Sequence, residues 1–243
     1  MPLLDHFRSP LGDIWPWEGV HSAWAAQIAA HLNQSLLPAD YYAVPLTKRG
    51  GQVEIDVAAF QSDELSGLAG DAGGTATIVW APPRPVATAS VDFLDLDLFE
   101  VQVIQRQGGP QLRAAIELVS PSNKGRPSHR QALAIKCASY LQRGVCVVVV
   151  DVVTERTVNL HAELVQLLSL PGDFHWQAPA KLYAATYRSI ASGEEQLIQY
   201  WPEPLALGAM LPTMPLWLDT DLCIPLNFEE SYVATCESLR IRL

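Results

Sequence analysis

Residues 114–153 constrain the fold more than any other stretch: AAIELVSPSNKGRPSHRQALAIKCASYLQRGVCVVVVDVV. Two apolar runs, 114–119 and 145–153, flank a segment of helical length. A strand buried on both faces reads as a continuous apolar run, so this order predicts strand, crossover helix and buried strand. The helix is expected over 128–143, with Ser128 as its cap and Gly144 just past its end. The charges set this unit apart from a generic one. Glu117 lies inside the first apolar run and Lys136 in the middle of the helix. Lys124, Arg126, Arg130, Lys136 and Arg143 follow one another with no acid between Glu117 and Asp151. A carboxylate among buried strand residues is costly without a partner, which makes Glu117 the first candidate for a site.

The rest of the chain reads around that unit. Trp24, Ile28, Leu32 and Leu36 recur at spacing four and predict a helix over 20–37, ended by Pro38. Residues 41–46 and 52–60 read as strands on either side of the Lys48-Arg49-Gly50-Gly51 turn. In the second strand Val53, Ile55 and Val57 share one face, while Glu54 and Asp56 share the other. Residues 61–75 read as a loop and 81–85 as a proline-stiffened linker. Strands are expected over 96–106 and 111–119, joined by a hairpin at 107–110. A short helix over 161–170, a hairpin over 182–200 and a helix over 228–238 follow. The proline-rich tail at 201–226 is expected to wrap the domain in extended form.

These elements predict one domain over 1–243, a three-layer α/β fold with a mixed β-sheet flanked by helices. Its core spans 16–160, and 161–243 form an extension that adds strands and an extended wrap to that core. No apolar run approaches the ~20 residues of a membrane helix, and MPLLDHFRSPLGD lacks the order of a signal peptide. The expectation is a cytoplasmic protein without a membrane partner. Cys137, Cys146, Cys223 and Cys236 have no metal-ligand spacing and read as small apolar core residues. The net charge of -10 argues against a surface that holds nucleic acid nonspecifically, although 117–151 is locally basic. Nucleic acid and a second copy of the chain stay open as partners.

Glu54 and Asp56 on one strand face, Glu117 on a strand of the same sheet, and a nearby lysine form the inventory that phosphodiester hydrolysis with Mg²⁺ requires. Carboxylates hold the ion, and the lysine offsets developing phosphate charge. Simpler readings stand beside this one. Asp151 can merely cap a loop, His21 can be structural, and Trp15, Trp17, Trp24, Trp201 and Trp217 can serve packing alone.

The arrangement resembles the PD-(D/E)XK, or restriction-endonuclease-like, nuclease fold. Asp56 in VEIDV matches that fold's first acid and Glu117 in AAIELVSPS its second, while Val119 stands where the motif lysine should be. The resemblance implies Asp56 and Glu117 as ligands of Mg²⁺ or Mn²⁺, with Glu54 as an auxiliary acid. Lys136 would supply the displaced lysine from the helix, with Lys124 as its competitor. Lys136 lies three residues from Leu133 and four from Tyr140, so it borders the expected docking stripe. A wider resemblance rests on WPWEGVHSAW, LLPADYYAVP, IELVSPSNKG, VVVVDVV, YWPEPL and LPTMPLWLDTDLCIPLNFEESY, which are similar to the family called domain of unknown function 4058. The competing expectation is a non-catalytic binding or assembly protein on a degenerate nuclease-like scaffold.

Overall fold

Proline fixes the entry into the first long helix. Pro16 sits at its N-cap with φ -53°, and α2 (Trp17–His31) starts one turn earlier than its apolar periodicity predicts, after the short α1 (Leu11–Ile14). Val20, Trp24 and Ile28 are buried, and Leu32 continues their row into a π-helical turn, Leu32–Leu36. The computed structural model describes residues 1–45, 57–61, 81, 83–91, 111–176, 181–193 and 195–241, with side chains at 57–61, 90 and 91 excepted. The expected strand at 96–106, the hairpin at 107–110, the 62–75 part of the loop, and residues 52–56 of the second strand lie outside the described residues.

The strands of the main sheet are β1 (Tyr41–Pro45), β2 (Val57–Gln61), β3 (Ala87–Val91), β4 (Gln111–Leu118), β5 (Cys146–Asp151), β6 (Leu182–Ser192) and β7 (Glu195–Leu205). They line up in the order β1-β2-β4-β5-β6-β7-β3. Only β4 and β5 run parallel; every other neighbouring pair is antiparallel. The parallel pair is joined by α3 (Pro127–Gln142), as a crossover connection requires.

Two capping details decide where α3 lies. Its N-cap is Arg126 with Pro127 at the first helical position, so Ser128 is inside the helix and does not cap it, contrary to expectation. Proline is preorganised for that first position, which moves the boundary one residue upstream. At the other end Gly144 adopts φ +74°, Gly144 N–H donates to Leu141 O (3.0 Å), and Val145 N–H to Tyr140 O (2.9 Å). That pair of bonds is a Schellman motif and turns the chain directly into β5.

The sheet has an apolar layer on each face. Ala114, Ile116, Leu118, Cys146, Val148 and Val150 face one core with Trp24, Ile28 and Tyr232. Ala115, Val119, Val147 and Val149 face the other core with Leu133, Cys137, Tyr140 and Leu164. The first layer holds α2, α5 (Phe228–Ser238) and a hairpin of β8 (Thr213–Trp217) and β9 (Cys223–Asn227); the second holds α3 and α4 (Leu160–Leu167). Every residue of β5 is buried, which accounts for its unbroken apolar run.

One strand is added to the expected elements, and two expectations need correction. Ala87–Val91, a stretch to which sequence reading assigns no element, is the edge strand of the sheet among the described residues; its short, alanine-rich composition carries no periodic signal. Residues 201–205 belong to β7 rather than to a wrapping tail. β3 pairs with β7 only as far as Tyr200, so Pro202 and Pro204 lie on an edge where a missing N–H is tolerated. The remaining tail forms the β8–β9 hairpin, with Pro215 opposite Pro225, instead of an extended wrap. Residues beyond 160 thus complete the same sheet. Among the described residues no helix is long and apolar enough to cross a membrane.

Candidate functional site

Strand alternation selects the face on which chemistry can occur. Glu117 shares parity with Ala115 and Val119, and Asp151 with Val147 and Val149, so both acids point into the α3–α4 layer. The parallel register pairs Glu117 with Val149, which sets Asp151 two residues further along at the carboxyl end of β5. In α/β sheets with parallel neighbours, the crevice beyond these strand ends is the usual place for ligands.

Each acid meets its own lysine. Leu133, Ala134, Cys137, Tyr140 and Leu141 are the buried stripe that docks α3, and Lys136 borders it. Lys136 Nζ lies 2.8 Å from Glu117 Oε1 and 3.0 Å from Oε2. The stem of Lys136 crosses apolar surface while its ammonium reaches both carboxylate oxygens.

Lys124 arrives by a different route. Asn123 Oδ1 accepts from Ser120 N–H (2.8 Å) and Ser120 Oγ–H (2.9 Å), which closes the SPSNK segment over the strand ends. Lys124 N–H and Gly125 N–H then donate to Pro121 O and Ser122 O at 3.2 Å. These turns carry Lys124 inward, where Nζ meets Asp151 Oδ2 at 2.7 Å. Asp151 Oδ1 accepts Val153 N–H at 3.1 Å, so this acid also caps the loop after β5. The two lysines therefore serve different acids.

Burial dominates the electrostatics. It pushes the Asp151 carboxyl up to about 6, against the pull of Lys124 in the other direction. Burial also raises the Cys137 thiol and the Tyr140 phenol, and the Glu117 charge adds to both. Tyr183, the register partner of Asp151, is raised by burial and then by that acid's charge. Two carboxylates and two lysines thus meet as two close buried pairs near these strand ends.

His21 is structural. Its Nε2–H donates to Leu118 O (2.8 Å), and its ring stacks on Trp17, tying α2 to the end of β4 from the opposite face.

Asp56 and Glu54 lie outside the described residues. The first described residue of β2, Val57, pairs with Ile116, the neighbour of Glu117. β2 is thus the strand next to the one that carries Glu117. Asp151 is the residue that sequence reading undervalued. It ends an apolar run just as Glu117 interrupts one, and the same cost of burying a charge identifies it. Among the described residues no group of three or more His, Cys, Asp or Glu side chains could hold a metal ion.

Fold and site define a three-layer mixed α/β protein with a carboxylate–lysine cluster buried at the carboxyl ends of its two parallel strands. Comparison of the chain with protein-family models, curated proteins and solved structures gives no match.

Proposed function

We propose that the chain is a Mg²⁺- or Mn²⁺-dependent phosphodiester hydrolase on a restriction-endonuclease-like core. Glu117 and Asp56 are its metal ligands, Lys136 its charge-stabilising cation, and Glu54 and Lys124 auxiliary groups. The observation that carries this reading is the Glu117–Lys136 pair, a strand acid and a helix lysine within 3.0 Å, on the strand beside the one that Asp56 precedes. The arrangement of elements supports it: a helix, then strands β1, β2 and β4 side by side and antiparallel, then a crossover helix into β5, parallel to β4, with β3 placed apart from them beside β7. The likeness to domain of unknown function 4058 belongs to the same proposal.

Glu117 is a hard oxygen donor of the kind a divalent cation takes, and its two oxygens lie 2.8 and 3.0 Å from Lys136 Nζ. When bound, such an ion polarises the phosphate and offsets its charge. Glu117 holds Lys136 in one orientation, so the ammonium is in place before a phosphate arrives and needs no reorganisation. Lys124 and Asp151 fix the SPSNK turn beside it and keep the strand ends ordered.

A second reading has its own observation. Glu117 is 3%, Lys136 5%, Lys124 1% and Asp151 0% exposed, so both pairs are closed to solvent. On that reading the pairs are ties between α3, the SPSNK turn and the sheet, on a scaffold that binds or assembles without catalysis. Val119, in place of the motif lysine, agrees with it.

One experiment separates the two. Nuclease assays on single- and double-stranded DNA and RNA with Mg²⁺ or Mn²⁺ compare the wild type with Lys136→Met and Lys124→Met. Calorimetric Mn²⁺ titrations compare it with Asp56→Ala and Glu117→Ala. Hydrolysis that disappears in Lys136→Met, with Mn²⁺ heat lost in both alanine variants, supports the enzyme. Activity surviving Lys136→Met but lost in a folded Lys124→Met reassigns the lysine. No hydrolysis of any substrate, with equal negligible heats, leaves the binding scaffold.

A further inference from the structure

At the opposite end of the parallel strands lies a pocket of about 210 Å³ that the hydrolase reading does not use. Arg113 near the start of β4, Arg143 at the C-cap of α3, and Arg188 on β6 line it, together with Trp217 and Asp219. Three arginines thus line one pocket on a chain whose net charge is -10.

Arg188 is the most tightly placed of the three. Its guanidinium carbon sits 3.4 Å from the Trp217 ring centroid and 5.8 Å from that of Trp201. Nε–H donates to Gln199 Oε1 (2.6 Å) and Nη1–H to Thr220 O (3.2 Å). These neutral acceptors and the indole face fix the plane of the guanidinium without neutralising it, and Nη2 has no acceptor among the described residues. Arg143 is exposed and makes no ion pair among the described residues. The Trp217 Nε1–H is buried with no acceptor. A buried donor without a partner costs about 1–3 kcal/mol, so the pocket is short of acceptors. Asp219 is the acid that lines it, and its Oδ1 already accepts Thr220 N–H at 2.7 Å. Burial lowers the Arg188 pKa, while Asp221 is a further acid whose charge acts on that group.

We propose that this pocket binds the phosphate group of a small phosphorylated ligand, with the forks of Arg188 and Arg143 on its oxygens. A guanidinium fork matches a phosphate's spaced oxygens, and a tetrahedral oxyanion supplies the several acceptors that the pocket lacks. The shared chemistry is the phosphate dianion, whether free or carried as a monoester. The site is separate from the Glu117 cluster and needs no metal.

The test is calorimetric titration of the full chain with inorganic phosphate and with a nucleoside 5′-monophosphate, in chelator and at low salt. Sodium chloride of equal ionic strength is the control. Indole N–H resonances are followed in parallel, with that of Trp217 assigned through Trp217→Phe. Saturable binding of either probe is expected, with a shift of the Trp217 resonance. Arg143→Gln, an exposed change that leaves the fold intact, weakens binding about tenfold, and Arg188→Gln weakens it further. Should Arg188→Gln not fold, Arg188→Lys keeps the charge, loses the fork and still weakens binding. Asp219→Asn removes the competing acid and tightens it. Tighter binding of the ester than of phosphate, or equal binding, both support the site and say which source it favours. No saturation by roughly 10 mM of either probe, a chloride response equal to that of phosphate, or wild-type affinity in both arginine variants overturns it. Binding that persists in Glu117→Ala keeps this result independent of the hydrolase.

Discussion

Lys124→Met isolates the most deeply buried charge pair, and its cost should depend on pH in a way that packing alone does not. Lys124 and Asp151 are essentially inaccessible to solvent and 2.7 Å apart. Removing one partner of such a pair typically costs about 3–5 kcal/mol, because the other charge is left buried. Asp151 can escape by taking up a proton. Holding it neutral costs about 6 kcal/mol near pH 8, measured from its ordinary 3.8, but only about 2 kcal/mol near pH 5. In the wild type its folded value of about 6 lies above the unfolded one. Stability from this group is therefore full below about 4 and falls as pH rises towards about 6. The variant raises the folded value further, so its losses continue above that window. Urea unfolding should give a deficit of about 3–5 kcal/mol near pH 8 and little near pH 5. Lys124→Met with Asp151→Asn should recover most of the loss near pH 8. Equal deficits at both pH values, or a double variant as unstable as the two single losses added together, would refute the reasoning.

Burial also lowers His6, which hydrogen-bonds Tyr232 through Nε2, to about 4, with the Asp5 charge opposing. The fold prefers its neutral ring, so this contribution is full above about 6.5 and about 3 kcal/mol is lost as pH falls to about 4. His6→Gln should flatten that acid limb in urea titrations against pH; an unchanged limb refutes the assignment. Gly144→Ala meets no atom within 4 Å but must hold φ +74°, so thermal unfolding should report a loss of about 1 kcal/mol. Ile28→Ala, at a fully buried position in α2, should cost about 2–5 kcal/mol by urea unfolding.

Elements with strong periodicity or firm punctuation were legible in the sequence. Helix α5 falls on the expected residues because Asn227 caps it and its buried face repeats. Gly144 marks the end of α3 because only a left-handed residue completes its Schellman turn. The β6–β7 hairpin follows from Gly193, which takes φ +64° at the turn. Strand β3 was illegible because Ala87 to Val91 owes its place to a partner far along the chain rather than to its own pattern. In the site, Glu117 and Lys136 stand out as charges in apolar settings. The meeting of Lys124 with Asp151 depends on the side-chain clamp of Asn123, which no spacing rule expresses.

The edge position of β3 has a consequence for how the chain is made. Ala87 pairs with Tyr200, a residue translated more than a hundred codons later, and among the described residues no other strand of the sheet neighbours β3. The first residues wait longer still: Leu3 exchanges backbone bonds with Gly208 and Ala209, and Leu4 N–H donates to Tyr232 Oη across 228 residues. At ribosomal speeds of about 5–20 residues per second, the β3 segment waits roughly 6–23 seconds for its partner and the first residues about twice as long. During that interval the nascent chain carries an unmatched strand edge and the uncovered apolar side of α2. An unpaired edge of that kind invites wrong pairing, so the order in which the chain emerges exposes β3 to misassembly before β7 exists to take it up.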